Sequence, residues 1–208
     1  MLLAKDQTKI KKLFNSLNKN DEFEVMFNNF RSDNKLSLNK FVNVLKYLKW
    51  RSDKDGIEII NENSLDIVYN EDYKKDGINT TYRVSIIGND NINNFLKLVY
   101  LRKNHIIFSI LMTQFISDKN FSFIKKVKDP VKIINIDEYD IRFRVASELD
   151  LDNKTISHLA NLPLSQSDKI IFRYKNRISL KLIDTEKENL SIDLTSVKTA
   201  NNPNEIAQ

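Results

Sequence analysis

Apolar residues repeat at helical spacing in three stretches of the chain. A repeat at i, i+3, i+4 and i+7 places side chains on one face of an α-helix. In the first stretch the apolar positions, which stand among lysines and asparagines, are Ile10, Leu13, Phe14 and Leu17. The spacing predicts helices over residues 5–19, 37–50 and 91–110. Ser37 is a suitable N-cap residue for the second helix, because its hydroxyl can accept a hydrogen bond from the first turn.

Elsewhere apolar and polar residues alternate, which is typical of strands with one covered face. The alternation is plainest in residues 21–27, where Phe23, Val25 and Phe27 share a face. Further β-rich runs are bounded by Asn, Asp and Gly clusters that are typical of turns. The predicted strands cover residues 21–27, 57–60, 65–69, 80–87, 121–127, 139–146, 169–182 and 190–197. A turn at 184–189 predicts a hairpin of the last two strands.

The order of these elements predicts the fold class. About eight mostly antiparallel strands with two or three helices favour an α+β fold or a barrel decorated by helices. The 208 residues fit a single domain, and no internal repeat or linker divides them. The N-terminus has no apolar signal segment, and the longest apolar stretch, 106–112, is far shorter than the roughly 20 residues of a membrane span. We therefore expect one soluble, intracellular domain over residues 1–208.

Composition excludes several kinds of active site. The chain has Cys 0, which excludes disulfides, thiolate zinc sites and cysteine nucleophiles. Gly 3 excludes a Rossmann fingerprint and a P-loop, while His 2 argues against a histidine-built metal site and a Ser-His-Asp triad. Lys+Arg 33 against Asp+Glu 28 leaves a net charge of +5. Any metal site must therefore rely on carboxylates, and any catalysis on carboxylates, lysines and arginines.

Charged residues of one sign share faces of individual predicted strands. Glu22 and Glu24 stand together on the polar face of the first strand. On one face of a later strand stand three cations, Arg173, Lys175 and Arg177. Three cations in a row repel one another unless water or an anion lies between them. This strand is therefore either a solvated face or an anion-binding face.

Smaller groups of charged and polar residues follow the same pattern. Asp193 and Thr195 share a face of the last strand, and Lys198 has the opposite parity, so that it could join them only if the strand ended or bulged first. Arg144 shares its parity with Glu148 just beyond it. One more arginine, Arg83, lies within a β run.

Two explanations of these charged faces remain open. Taken singly, each motif is more often the solvated face of an antiparallel sheet or a protected sheet edge. Together the motifs segregate by sign from strand to strand, whereas an ordinary solvated face mixes signs. A sheet closed into a barrel would place these faces inside, since burying them against an apolar core is costly. Polyphosphate suits such a lining, because cations neutralise phosphoryl oxygens and carboxylates hold a bridging divalent metal.

Four segments occur in the order found in metal-dependent RNA triphosphatases, a group of triphosphate tunnel metalloenzymes. The segments are Glu22–Phe27, Tyr82–Ser85, Phe172–Arg177 and Ile192–Lys198. The chain most resembles the N-terminal triphosphatase domain of mRNA-capping enzymes of large DNA viruses, the mimivirus type. The resemblance runs from about residue 21 to residue 198. Its most specific part is the Arg-Tyr-Lys-x-Arg strand followed by Asp-x-Thr-x-x-Lys.

The resemblance implies a fold, an activity and a cofactor. It implies an α+β fold with a closed antiparallel eight-stranded β-tunnel and a few flanking helices. The implied activity is removal of the γ-phosphate from triphosphate-ended nascent mRNA, the first step of cap formation. The implied cofactor is Mg²⁺ or Mn²⁺ on Glu22 and Glu24. Implied partners are 5'-triphosphate RNA, NTPs, and guanylyltransferase and methyltransferase domains or subunits, in the host cytoplasm or the virion.

The resemblance also implies roles for individual residues. Glu148 matches an acidic residue that orients the attacking water. The other implied catalytic residues are Arg173, Lys175, Arg177 and Lys198. The implied phosphate-binding residues are Arg83, Lys125, Arg144, Asp193 and Thr195.

One departure from the family pattern concerns the metal site. The family carries a second Glu-x-Glu strand near its C-terminus, and none appears in suitable order here. We therefore expect the chain to be either the N-terminal part of a longer capping enzyme whose last strand or strands lie beyond residue 208, or a diverged form that lacks half of the metal ligands. Three alternatives stay open: a non-catalytic module that binds RNA ends or polyphosphate, a structural interaction domain, and a tunnel enzyme acting on free polyphosphate or nucleotides.

Overall fold

The computed structural model describes residues 3–27, 37–55, 57–71, 79–183 and 189–206, without the side chains of 79, 128–131, 182–183 and 189–190. Its α-helices are α1 Ala4–Asn15, α2 Leu38–Asp55, α3 Asn89–Val99, α4 Asn104–Gln114 and α5 Asn153–Ala160. Its strands are β1 Asp21–Phe27, β2 Glu58–Asn70, β3 Asn79–Ile87, β4 Phe121–Ile136, β5 Ile141–Asp150, β6 Ile170–Ile183 and β7 Asn189–Ala200. Short 3-10 helices cover Asp137–Tyr139, Leu164–Lys169 and Pro203–Glu205. In the part of the chain described here, no helix is long and apolar enough to cross a membrane.

The strands form one sheet in the order β1-β5-β4-β3-β2-β6-β7. The three pairings with a described register, β1 with β5, β4 with β5 and β6 with β7, are all antiparallel. The predicted α+β class with an antiparallel sheet is thus confirmed, and so is the pairing of the last two strands. The predicted closed, eight-stranded sheet is not found in the described residues, where seven strands form an open order that ends at β1 and β7.

The strand count differs because two predicted strands are one. Residues 57–60 and 65–69 belong to the continuous strand β2, and the polar residues between them do not form a turn. Asn63 is tied on both sides: its carbonyl accepts from the Gly88 amide at 2.9 Å and its side chain accepts from Asn176 Nδ2 at 2.8 Å. A strand can continue through polar residues that have hydrogen-bond partners. Composition alone therefore did not distinguish these residues from a turn.

The predicted helix over 91–110 is wrong in its continuity. It is interrupted between α3 and α4, where Leu101 has a positive φ of 64°. Helical geometry requires a negative φ, and left-handed backbone is unfavourable for leucine, so the helix cannot run through this residue. The helix α5 was not predicted from the sequence. It has 8 residues and buries Leu159, so its apolar repeat is too short to stand out.

The chain divides into two compact units. Unit 1 consists of residues 1–36, 69–83 and 123–152, and unit 2 of 37–68, 84–122 and 153–208. In unit 1, α1 packs on β1, β4 and β5 around a core centred on Leu13, Ile136, Phe143 and Val145. In unit 2, α4 packs against α5, and the fully buried side chains include Phe95, Phe108, Phe172 and Leu111.

Candidate active site

The register of β1, β5 and β4 collects charged residues on one face of unit 1. Glu24 lies opposite Arg144 and Glu22 opposite Ala146 in the β1–β5 pairing. Lys126 lies opposite Glu148 in the β4–β5 pairing. Because directly paired residues of antiparallel strands point to the same side, these side chains converge. We call Glu22, Glu24, Glu148 and Lys126 the carboxylate–ammonium cluster.

Lys126 lies at the centre of this cluster. Its Nζ donates to Glu22 Oε2 at 2.7 Å, to Glu24 Oε1 at 2.9 Å and to Glu148 Oε1 at 3.0 Å. An ammonium group has three N–H donors, so these three carboxylates use its full capacity. The Lys126 side chain is only 10% exposed, whereas Glu22 is 49% exposed. The cluster is therefore closed on the lysine side and open to solvent on the glutamate side.

Two arginines complete the charge balance. Arg144 Nη2 donates to Glu24 Oε2, and Arg83 Nη2 donates to Glu148 Oε1 at 3.4 Å. Three carboxylates thus face three cations. Within the described residues, the Nε atoms of Arg83 and Arg144 are buried and have no hydrogen-bond partner. A buried donor without a partner is unfavourable, so both arginines have capacity for an oxygen of an incoming anion.

The cluster shifts the pKa of each of its members. Burial alone would raise the pKa of Glu24, but Lys126 and Arg144 outweigh it and lower that pKa to about 2. The pKa of Glu148 is also lowered, because Lys126 and Arg83 outweigh its burial. Burial raises the pKa of Glu22 more than Lys126 lowers it, and the neighbouring glutamates raise this pKa further. The two glutamates increase the pKa of Lys126 in spite of its burial. At neutral pH, Glu24, Glu148 and Lys126 are charged.

The structure places the two neighbouring lysines of β4 on opposite faces, and the predicted role of Lys125 stays a prediction. Lys125, a predicted phosphate-binding residue, lies opposite Leu149 on the other face and does not join the cluster. Lys126 was not among the predicted residues. The alternation of β4 carried a signal for it, since Phe121 and Phe123 share the parity of Lys125 and leave the next position to the polar face.

Unit 2 holds the predicted cationic strand. Arg173, Lys175 and Arg177 share one face of β6, as expected. Lys175 forms an ion pair with Asp66, and their side chains are only 8% and 1% exposed. Ser85 Oγ donates to the other carboxylate oxygen of Asp66 at 2.8 Å. The Asp66–Lys175 pair was not predicted, because nothing in the sequence links two residues more than a hundred positions apart.

The residues of β7 are only partly brought together with that face. Thr195 lies opposite Arg177, and Asp193 Oδ2 forms an ion pair with Arg177 Nη1 at 3.4 Å. Lys198 lies opposite Tyr174, on the other face, because the register runs without a bulge from Asn189 to Ala200. The condition under which Lys198 could join the face is therefore not met in this strand, and its catalytic role stays a prediction.

The donor chemistry of the carboxylate–ammonium cluster suits a hard divalent cation, but its spacing is that of an ammonium site. Carboxylate oxygens are the ligands that Mg²⁺ and Mn²⁺ prefer. The oxygens lie 2.7–3.0 Å from a nitrogen, whereas Mg²⁺ holds its ligands at about 2.0–2.1 Å. In the described ranges, no group of three or more acidic or histidine side chains is arranged so that it could hold a metal ion. A metal here would require Lys126 to move.

Comparison with solved structures shows the fold. The crystal structure of the RNA triphosphatase domain of a trifunctional mimivirus mRNA capping enzyme has 23% sequence identity and a TM-score of 0.64, covering 96% of this chain and 80% of that one. The triclinic structure of mimivirus capping enzyme triphosphatase has 23% identity and a TM-score of 0.67, covering 99% and 84%. The monoclinic structure has 22% identity and a TM-score of 0.65, covering 96% and 81%.

These similarities extend over nearly the whole chain at low sequence identity. No protein-family model and no curated protein sequence matches the chain significantly. The chain therefore shares the fold of the mimivirus triphosphatase domain. Because a fold hosts many functions, the shared fold alone does not establish the activity.

Proposed function

We propose that this chain is an RNA 5'-triphosphatase, which removes the γ-phosphate from triphosphate-ended nascent mRNA in the first step of cap formation. The observation that carries the proposal is the convergence of three carboxylates and three cations on one face of unit 1. The fold shared with the RNA triphosphatase domain of a capping enzyme supports it. Such a combination suits phosphoryl transfer, in which catalysis is mainly positioning and charge stabilisation.

The metal site of the proposed enzyme is formed by Glu22 and Glu24, with Glu148 beside them. All three carboxylates converge on one point. The Glu22 side chain is exposed, so a cation can reach this point from solvent. A bound Mg²⁺ or Mn²⁺ supplies Lewis-acid polarisation of the phosphoryl group. The remaining steps are carried out by side chains of this chain.

The arginines of the cluster hold the phosphoryl oxygens. Arg83 and Arg144 present the buried Nε donors that lack a partner among the described residues. Charge-assisted hydrogen bonds from guanidinium groups stabilise the negative charge on the equatorial oxygens during transfer. These two residues are therefore assigned to phosphate binding.

Glu148 orients the water. Its lowered pKa keeps it anionic at neutral pH, so that it accepts a hydrogen bond from a water molecule. That water attacks the γ-phosphorus in line with the β–γ bridging oxygen. The P–O bond to the β-phosphate breaks, and the products are inorganic phosphate and an RNA with a diphosphate end.

We also assign phosphate binding to the cationic face of β6 in unit 2. Arg173 and Arg177 flank Lys175 on this face, and Asp193 orients Arg177 through their ion pair. The Thr195 hydroxyl lies opposite Arg177 and offers a further donor. A guanidinium group binds phosphate oxygens through several N–H groups at once. Lys125 and Lys198, on other faces, stay predictions.

The proposed substrate implies further capping activities. The mimivirus neighbour is described as part of a trifunctional mRNA capping enzyme. A diphosphate RNA end is the acceptor for guanylyl transfer, and methylation follows it. We therefore propose that this chain acts together with guanylyltransferase and methyltransferase domains or subunits.

Release of phosphate from γ-labelled triphosphate RNA tests the proposed activity. With Mg²⁺ or Mn²⁺ we expect release by the wild-type chain, and a loss of about 10²–10³-fold in Glu24→Gln, the cost typical of removing one preorganised electrostatic contact. Lys132→Met is the matched control. Lys132 pairs with Asp21 at 3.2 Å, and Asp21 lies opposite Ser147, on the other face from Glu24. Equal rates in wild type and Glu24→Gln would contradict the assignment.

One observation favours the second candidate, a module that binds triphosphate ends without hydrolysing them. Lys126 already binds all three carboxylates in the manner of a structural counter-ion. A binding module predicts that the wild-type chain retains labelled RNA on a filter at low salt and releases no phosphate with either metal. Absence of both binding and release would leave neither function.

A further inference from the structure

We propose that Lys126 is a resident cation which excludes a divalent metal from the carboxylate–ammonium cluster until a triphosphate takes over its ammonium group. This inference rests on the proposed function for the identity of its anion. It assigns to Lys126 an exchange of partners, from carboxylates in the free protein to phosphoryl oxygens in the complex. Metal binding and triphosphate binding then become coupled.

The position of Lys126 supports the exclusion. It belongs to β4, whereas Glu22 and Glu24 belong to β1, and β5 lies between these strands. At the β5 position opposite Glu22 stands Ala146, whose small side chain leaves room for the lysine to reach across the strand. The ammonium therefore occupies the point on which all three carboxylates converge.

Lysine and metal cannot share this point. A carboxylate oxygen that accepts from Nζ at 2.7–3.0 Å would have to move to about 2.0–2.1 Å from a Mg²⁺ ion. The metal would also bring two positive charges into a cluster whose three carboxylates already face three cations. Metal entry therefore requires the ammonium to leave.

A displaced Lys126 needs another anion. Its side chain is only 10% exposed, and a buried charge without a partner is strongly unfavourable. Arg83 and Arg144 are cations and do not replace the lost carboxylates. The terminal oxygens of a triphosphate are anionic acceptors, so the metal and the triphosphate each lower the cost of binding the other.

A purely structural role makes different predictions. If Lys126 only clamps β1 to β4, its replacement weakens the fold and leaves the affinity for a metal unchanged. Loss of stability alone therefore does not distinguish the two roles. The affinity for a metal in the absence of substrate does distinguish them.

The first experiment measures Mn²⁺ binding to the intact chain by electron paramagnetic resonance, without any nucleotide. Lys126→Met removes the resident cation, and we expect it to bind Mn²⁺ about tenfold more tightly than wild type, within the usual range of coupling between ligands. Lys132→Met removes the same charge from the Asp21 pair and is expected to bind as wild type does. Lys126→Met binding no more tightly than Lys132→Met would overturn the proposal.

The second experiment uses wild-type protein, so that it does not depend on the folding of a variant. The ¹⁵N signal of the Lys126 ammonium is assigned by its loss in Lys126→Arg. We expect Mg²⁺ alone to leave it in place, and Mg²⁺ with a non-hydrolysable β,γ-imido nucleoside triphosphate to shift it. A signal that stays unchanged with both ligands, or that moves with Mg²⁺ alone, would refute the exchange of partners.

Neither measurement requires turnover. Failure of the proposed enzyme activity would appear as the absence of phosphate release, with the Mn²⁺ and ammonium results unaffected. Failure of the Lys126 proposal would appear in those two results while phosphate release continues.

Discussion

Lysines of the two units are paired with carboxylates in different ways. In unit 1, Lys126 serves three glutamates, of which Glu24 is 21% and Glu148 28% exposed. In unit 2, Lys175 forms an ion pair with Asp66, and both are almost inaccessible to solvent. A lysine shared by partly solvated carboxylates can exchange one partner for another, because water compensates part of the change. A pair whose two members are both buried exchanges partners less readily, because removing the lysine leaves the carboxylate buried without its counter-ion.

The difference distinguishes charged strand residues that can bind a ligand from those that form a structural ion pair. Both lysines stand at alternating positions of long strands, and the sequence does not show which of them is buried in an ion pair. The carboxylate–ammonium cluster has the access and the surplus of groups that binding requires. The Asp66–Lys175 pair has the burial that is typical of a structural ion pair. Substitutions in the two units should therefore act on different properties.

The largest expected effect on stability is that of Lys175→Ala. It leaves the Asp66 carboxylate buried with Ser85 as its remaining described donor, and breaking such a pair costs about 3–5 kcal/mol. Urea denaturation measures the change. The double variant Asp66→Ala/Lys175→Ala should lose less than the sum of the two single variants. A loss below about 1 kcal/mol in Lys175→Ala would place this pair with exposed ion pairs instead.

Glu24→Gln should destabilise the protein less than Lys175→Ala does. Lys126 keeps Glu22 and Glu148 as acceptors after the change, so the ammonium is not left bare. We expect a loss of about 1.5–3 kcal/mol at neutral pH, the range for a hydrogen bond to a charged group. The same urea titration measures it. A loss of stability as large as that of Lys175→Ala would show that the ion pairs of the two lysines contribute equally to stability.

Acidification should reduce the difference between wild type and Glu24→Gln. The pKa of Glu24 is about 2 in the folded protein, against about 4.3 for an unperturbed glutamate. A lowered pKa contributes stability that is complete above the unfolded value and is lost as the pH falls through the folded value. Urea denaturation of both proteins between pH 6 and pH 2 should therefore show their stabilities converging. A constant difference would mean that Glu24 is not held as an anion by its neighbours.

The smallest effect on stability is expected for Arg177→Ala. Arg177 and Asp193 are 36% and 35% exposed, and an exposed ion pair contributes at most about 1 kcal/mol. Phosphate release should respond more strongly, through a higher KM for RNA. Lys198→Ala, on the opposite face of β7, should raise KM less than Arg177→Ala does. The reverse order would show that the other face of β7 contacts the substrate.

The alternation of residues predicted much of the fold and part of the candidate site. Residues 21–27 form β1 as predicted, with Glu22 and Glu24 on one face, because parity along a strand is a local property. For the same reason Arg144 and Glu148 were expected to share a face, and they do. The helix break at Leu101 was missed, since the apolar spacing does not record the positive φ of that residue. The continuity of β2 was missed because it depends on hydrogen bonds of Asn63 to residues distant in the sequence.

The sequence by itself determined which residue types are available and which of them share a strand face. It excluded cysteine and glycine-loop chemistry, and it placed two glutamates and three cations on two separate strands. Only the tertiary structure decided that Lys126 meets the glutamates of β1 across β5, and that Lys175 is held by Asp66. The physical reason is register. A shift of one residue between strands exchanges their faces, so the partners of each charged face depend on how strands far apart in the chain are paired.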